Sequence, residues 1–329
     1  MRRREFIAVV GATVAWPLAA RAQQPAVGVP IVAFINGRRA DASASVAAEF
    51  RKGLGQAGLT EGKDVAVEYH WLDGHYEGIP AILDDAVRRH VAVIATPAST
   101  PATLAAKAAT STIPIVFGAS EDPVALGLVA SLAKPGGNVT GINFFASEID
   151  AKRLGLMHEL LPKAKRFDVL ANPANPVTAR ATIRALKEAA PGLGLELLVF
   201  DASSAAEIDA AFAAIGDAGA DALFVAPDGF FTARGPQLIM LAERLRIPAS
   251  AFVSELVEAG FLMSYGTSLS EVFRQVGVYT GDILKGARPA DLPVLQSTKF
   301  EFTLNLQAAH RLGIDVPPTL LARADQVIE

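Results

Sequence analysis

From residue 29 to residue 252, short apolar runs alternate with stretches whose apolar residues recur at helical spacing, and most runs end in a loop of small and polar residues. That alternation restricts the chain to helices packed against parallel sheets wound in both directions, because two parallel neighbours need a crossover between them. The run Ile113-Pro-Ile-Val-Phe117 sets the pattern. Its β-branched and aromatic residues suit a strand buried on both faces. The run stops at Gly118-Ala-Ser-Glu-Asp-Pro123, and Pro123 predicts a helix opening there, with Val124, Leu128 and Leu132 on one face. Polar loops at the carboxyl ends of strands are where open α/β sheets bind ligands. Val139-Thr-Gly-Ile142 then leads into a second, helix-rich half, so the crossing between two lobes is expected here.

The same reading predicts strands over 29–35, 65–71, 91–95 and 113–117 in the first half, and helices over 42–54, 80–90 and 101–109. In the second half a helix over 147–161 precedes strands over 167–171, 195–200, 222–226 and 247–252. Helices lie between them, one opened by the capping box Ser204-Ala-Ala-Glu207. Ser268-Leu-Ser-Glu271 reads as a second capping box, opening a long helix with Val272, Val276, Tyr279 and Ile283 on one stripe. A strand over 298–306 and a short helix over 306–312 follow. At 329 residues the chain exceeds what one core usually supports, which again predicts two domains.

Composition removes several functions. Thirty Lys and Arg against 34 Asp and Glu, with no basic stripe, argue against nucleic acid as a partner. Cysteine is absent, which excludes disulfides, thiolate zinc sites, cysteine nucleophiles and lipid attachment through an N-terminal Cys. The five histidines are scattered without the spacing of a zinc hydrolase, and Asp84-Asp85 sits beside Arg88 and Arg89 as a solvated helix face. Gly53-Leu-Gly-Gln-Ala-Gly58 matches the dinucleotide-binding fingerprint letter by letter, but it lies at a helix end and not between a strand and the helix it feeds. No catalytic constellation, metal site or cofactor site is indicated.

The N-terminus reads as an export signal over residues 1–22. Met1 to Ile7 is basic, Ala8 to Ala20 is weakly apolar, and Ala20-Arg-Ala22 offers a small-x-small cleavage site before Gln23. Arg3-Arg4-Glu5-Phe6-Ile7 has the twin-arginine pattern. The expectation is a protein exported to the periplasm and cleaved after Ala22.

The strand-end loops are the candidate binding site: Asn36-Gly37, Thr96 to Thr100, Gly118 to Asp122, Asn172 to Asn175 and Pro227 to Phe230. Their hydroxyls and N–H groups suit a carboxylate. Asp228 or Glu255 would hold an ammonium, and Phe230, Phe231 or Tyr265 would cover an apolar body.

Further runs are shared with a known family. Ala105 to Phe117, Asp122-Pro-Val-Ala-Leu-Gly-Leu-Val-Ala-Ser-Leu132, Pro135-Gly-Gly-Asn-Val-Thr-Gly141, Met263-Ser-Tyr-Gly-Thr-Ser268 and Leu320-Leu-Ala-Arg-Ala-Asp325 closely resemble the ABC-transporter substrate-binding proteins of the tryptophan-binding type. The resemblance implies the type I periplasmic binding protein fold, an α/β architecture of two doubly wound parallel-sheet lobes joined by a three-strand hinge. It divides the chain into residues 26–143 with 251–289 and residues 144–250 with 290–329. It implies a small-molecule ligand in the cleft, such as an amino acid or an aromatic or carboxylic acid, and a membrane permease with its ATPase as partners. Ser99, Thr100, Ala119 and Ser120 fall on the first-lobe loops where relatives hold a carboxylate. Asn172, Asp228 and Phe230 fall on the matching loops of the second lobe. Ser254-Glu255 departs from the Trp-Arg-rich segment of many relatives, which leaves the ligand's identity open. A sensor feeding a membrane receptor and a secreted α/β enzyme are the alternative classes.

Overall fold

The computed structural model describes residues 28–144 and 146–329, so the export signal expected over residues 1–22 lies outside the described residues. In chain order the strands are β1 Ile31–Asn36, β2 Ala66–Trp71, β3 Val93–Thr96, β4 Ile115–Ala119, β5 Val139–Asn143, β6 Arg166–Ala171, β7 Glu196–Asp201, β8 Ala222–Val225, β9 Ala249–Ala251, β10 Met263–Thr267, β11 Leu295–Gln296, β12 Phe300–Asn305 and β13 Gln326–Ile328. They form two sheets, ordered β11-β5-β4-β3-β1-β2 and β13-β12-β10-β9-β8-β6-β7. Helices lie between most successive strands, which makes the molecule two α/β lobes, the architecture that the family resemblance implies. The strands expected to be buried are so: Val32 to Ile35, Val93 to Ala95 and Ile115 to Phe117 have no exposed surface.

Four expectations need correction. Residues 123–132 form successive turns and no helix. The Asp122 carboxylate takes the N–H groups of Val124 and Ala125, and Gly127 adopts a left-handed φ of 67°, which breaks the helical path while Leu128 and Val129 still reach the core. Residues 251–267 belong to the second lobe, because β9 and β10 continue its sheet, whereas β11 pairs with β5 and extends the first lobe beyond residue 289. The second sheet is not wholly parallel: β12 runs antiparallel to β10, with Tyr265 opposite Phe302. Ser268 makes no side-chain cap on the helix Leu269–Leu284, and the other half of the box is missing too, since the Ser268 N–H goes to the Lys299 carbonyl and the Glu271 carboxylate to Arg274 and Gln275.

That helix returns to the first lobe, where Val272, Phe273 and Val276 pack into the core with Phe34 and Phe50. Its close approach to the helix Ala44–Gln56 explains the first of the fingerprint-like glycines, Gly53. A Cβ at Gly53 would collide with the Arg274 carbonyl, and one at Gly277 with the Phe50 carbonyl. Small residues let these two backbones touch.

The chain crosses between lobes three times, after Asn143, at Ser268 and between Gln296 and Phe300. The crossings are tied side by side: Ser297 N–H donates to the Asn143 carbonyl (2.8 Å), Ser268 N–H to the Lys299 carbonyl (3.1 Å), and the Thr267 hydroxyl to the Phe144 carbonyl (3.2 Å). This is a three-strand hinge at one end of the interlobe cleft.

Candidate functional site

Both sheets point their strand C-termini at the cleft, so the polar loops of the two lobes meet there. They enclose a cavity of about 50 Å³ lined by Asn36, Arg38, Tyr76, Ser99, Thr100 and Ser120 from the first lobe and Asn175, Thr178, Pro227 and Asp228 from the second. Phe144, Phe252 and Leu269 close its hinge side.

The first lobe supplies donors. Asn36 ends β1 and its Oδ1 accepts the N–H of Arg38 at 2.9 Å, folding the loop so that the arginine turns inward. Arg38 is buried, with Nη2 held by Glu255 at 3.0 Å, while its Nε and Nη1 have no protein partner. The Ser99 hydroxyl is likewise buried and unpartnered. Buried donors of this kind are costly to leave unpaired. Three unsatisfied donors on one wall, one group a guanidinium, match a carboxylate.

The second lobe supplies acceptors. Asp228 caps the short helix Gly229–Ala233, its Oδ1 accepting the Phe230 N–H at 2.8 Å. Oδ1 also accepts from Asn172 Nδ2 (3.1 Å) and from the Tyr76 hydroxyl of the opposite lobe (2.9 Å). Oδ2 accepts only Asn175 Nδ2, at 2.9 Å, and keeps a free lone pair. Burial raises the Asp228 carboxyl above the usual range, and its four hydrogen bonds oppose that. Burial, with the Asp228 charge beside it, raises the Tyr76 phenol well above its ordinary value, so Tyr76 acts as a donor. The Asn175 Oδ1 is buried without a partner. This wall suits a cationic donor such as an ammonium.

Of the residues singled out in the sequence, Asn36, Ser99, Thr100, Ser120 and Asp228 line the cavity. Asn172 stands behind it and steadies Asp228. Glu255 is not among the residues lining the cavity and pairs with Arg38 Nη2 at 3.0 Å. Ala119 is displaced from the site: its carbonyl accepts Asn143 Nδ2 and the Phe144 N–H, so it serves the hinge. Phe230 is buried in the second-lobe core and meets Gly74 across the cleft, where a Cβ would come within 2.5 Å of its ring. Tyr265 packs on Phe300 and Phe302 with Lys152 over its ring, away from the cavity. Arg38, Tyr76 and Thr178 were missed, and Asn175 was marked only as part of the Asn172 to Asn175 loop. Arg38 lies two residues from Asn36, and Thr178 three residues past that loop.

Direct bonds join the lobes around this cavity. Besides Arg38–Glu255 and Tyr76–Asp228, Arg234 meets Asp73 at 3.4 Å, and Glu121 accepts the hydroxyls of Thr100, on its own lobe, and Thr178, on the other. The lobes are closed.

Similar structures agree with that arrangement. Over 91% of this chain and 99% of the other, the chain superposes with a TM-score of 0.81 on a conserved domain protein of Vibrio cholerae, 29% identical. With the same coverage the score is again 0.81 for a Streptococcus pneumoniae domain in complex with L-Trp, 23% identical. It falls to 0.62 for the ligand-free, open structure of a Clostridium difficile substrate binding protein with adhesive properties, although identity there is 26% and coverage is unchanged. In sequence the chain is 32% identical over 207 residues to the tyrosine-binding protein of Clostridioides difficile, covering 63% of this chain and 59% of that one. Among the described residues no group of acidic or histidine side chains is placed to hold a metal ion, and no helix is long and apolar enough to cross a membrane. The family model of ABC transporter substrate binding proteins matches residues 28–328, and the chain belongs to that family.

Proposed function

We propose that this protein captures a free amino acid with a large apolar or aromatic side chain between its lobes and delivers it to a membrane permease driven by an ATPase. The observation that carries the reading is the division of charge in the cavity. Arg38 Nε and Nη1 and the Ser99 hydroxyl offer donors for an α-carboxylate, and Asp228 Oδ2 with Asn175 Oδ1 offers acceptors for an α-ammonium. A zwitterion completes both sets at once. Phe144, Phe252 and Leu269 on the hinge side provide the apolar wall for a side chain. The tyrosine-binding relative supports the amino-acid class. The export signal read over residues 1–22 fits a protein that works outside the cytoplasm. At about 50 Å³ the closed cavity is smaller than the 300–1,000 Å³ typical of small-molecule sites, so side chains on its walls must give way when a ligand enters.

Calorimetry with the mature protein tests the charge reading. L-Tyrosine should bind, whereas tyramine, lacking the carboxylate, and 3-(4-hydroxyphenyl)propionate, lacking the ammonium, should each bind at least 100-fold more weakly. Equal binding of tyrosine and either analogue overturns the zwitterion reading.

A further inference from the structure

A second, smaller cavity of about 20 Å³ lies at the hinge end of the cleft. It shares Phe144, Pro227, Phe252 and Leu269 with the main cavity and adds Asp150 and Thr267. Apart from Thr267, whose hydroxyl is taken by the Phe144 carbonyl, its other side chains are apolar, which makes one buried carboxylate there a feature in need of a reason. Asp150 lies on the helix Ala146–Leu160 with 1% of its surface exposed. Its Oδ1 accepts Arg153 Nη2 at 3.2 Å and its Oδ2 accepts the Thr182 hydroxyl at 2.6 Å. An ionised carboxylate has about four lone-pair sites, so both oxygens retain capacity. Arg153 is fixed in turn by the Val225 carbonyl (3.1 Å) and by the face of Phe224, 3.7 Å below its guanidinium. The carboxylate is therefore held rigidly, neutralised from behind, and presented to the deep end of the cleft.

We propose that this hinge-side pocket is a specificity subsite, in which Asp150 accepts a hydrogen bond from a neutral donor at the far end of the ligand's apolar side chain. The inference rests on the amino-acid reading of the cleft and names the side-chain class it takes: hydroxyphenyl or indole in preference to plain phenyl. The chemistry discriminates in two directions. A side chain without a donor covers Asp150 and leaves its open acceptor positions unpaired, which is how sites built around a hydroxyl reject analogues that lack it. A cationic side chain gains little, because Arg153 already balances the carboxylate and the ammonium would lose its water.

The test is a ligand series on the wild-type protein by calorimetry, with L-tyrosine, L-tryptophan, L-phenylalanine, L-leucine and L-lysine. Tyrosine or tryptophan should bind at least tenfold more tightly than phenylalanine, and lysine should bind most weakly. In Asp150→Asn, checked for folding by thermal unfolding, the preference over phenylalanine should shrink to within threefold while phenylalanine itself still binds. Because Asp150→Asn strips Arg153 of its partner, the wild-type series decides if that variant does not fold. Phenylalanine binding as tightly as both tyrosine and tryptophan, or lysine binding best, overturns the subsite and leaves the zwitterion reading standing. Failure of all five to bind, with another ligand class bound, overturns both.

Discussion

Tyr76, from the first lobe, donates its phenolic hydrogen to Oδ1 of Asp228, from the second, across 2.9 Å. One hydrogen bond thereby joins lobe closure to the acceptor wall of the site. With it Oδ1 accepts three hydrogen bonds, whereas Oδ2 accepts one from Asn175 and keeps a free lone pair. Asp228→Asn should weaken amino-acid binding by hundreds-fold, since removing one partner of a buried ion pair costs about 3–5 kcal/mol. Tyr76→Phe deletes a bond to a charged group, worth roughly 1.5 kcal/mol, so about a tenfold loss is expected. Calorimetry on the two variants checks both; less than a threefold loss in Asp228→Asn would exclude it as the ammonium anchor.

The raised Asp228 carboxyl also gives binding a pH dependence. The ionised form is the one that holds an ammonium, and burial makes protonation begin at a higher pH than for an ordinary aspartate. Affinity should therefore fall as pH is lowered through the acid range, by up to tenfold per unit below the carboxyl's titration point. An affinity that stays flat from pH 7 to pH 4 would contradict the assignment.

Arg38 and Glu255 divide their labour differently. Arg38 presents two unpaired nitrogens to the cavity, whereas Glu255 touches only Nη2 from outside. Arg38→Ala should lower affinity at least 100-fold, and Arg38→Lys should recover little, because one ammonium cannot hold Glu255 and grip a carboxylate at the same time. Glu255→Gln keeps a hydrogen-bond acceptor and should cost under tenfold. If Glu255→Gln proved the worse of the two, Glu255 would be the contact and Arg38 its support.

The architecture was legible because each strand carried its own evidence, in apolar runs such as Ile113 to Phe117 and in the loops that end them. The site was half legible. Loops at strand ends were identifiable one by one, but Tyr76 sits in an unremarkable turn and acquires meaning only when the second lobe brings Asp228 to it. Arg38 stands beside Arg39 in the sequence, and nothing local shows that Asn36 folds it inward. Tyr265 failed for the opposite reason. It was read as covering the apolar body of a ligand, whereas β12, expected as a strand but not as an antiparallel neighbour of β10, supplies Phe300 and Phe302 to cover it.

Closure can be blocked without touching a polar group. Gly229, which follows Asp228, lies against the backbone of Gly37 and Arg38, where a Cβ would stand 3.0 Å from the Gly37 carbonyl carbon. In Gly229→Ala that backbone must retreat by a few tenths of an ångström, so the lobes should not shut fully. Ligand can shift the equilibrium only by its greater affinity for the closed form, and that advantage would shrink. Small-angle scattering with saturating ligand should show a larger radius of gyration for the variant than for the wild type, with unchanged thermal stability in its absence. Equal radii would mean that the loaded protein never closes to this contact.

Stability should respond to acid in an unusual direction because of Asp168. This residue of β6 is buried, and neither carboxylate oxygen has a hydrogen-bond partner. Burial raises its carboxyl to about 6, against an ordinary value of 3.8, although Arg166 lies 3.5 Å away. A raised carboxyl disfavours the folded state whenever it is ionised, so the cost is fully present above about pH 6 and is relieved as pH falls from there toward 4. Asp168→Asn has the shape of the protonated acid and removes the charge at every pH. It should raise Tm at pH 7.5 by roughly 2–4 °C, the shift expected of about 1 kcal/mol in a domain of 150–250 residues. The advantage over wild type should shrink as pH falls below 6 and vanish only below about pH 4, where the aspartate is protonated in the unfolded chain as well. A variant less stable than wild type at pH 7.5 would show that the attraction of Arg166 outweighs burial and would reverse the assignment.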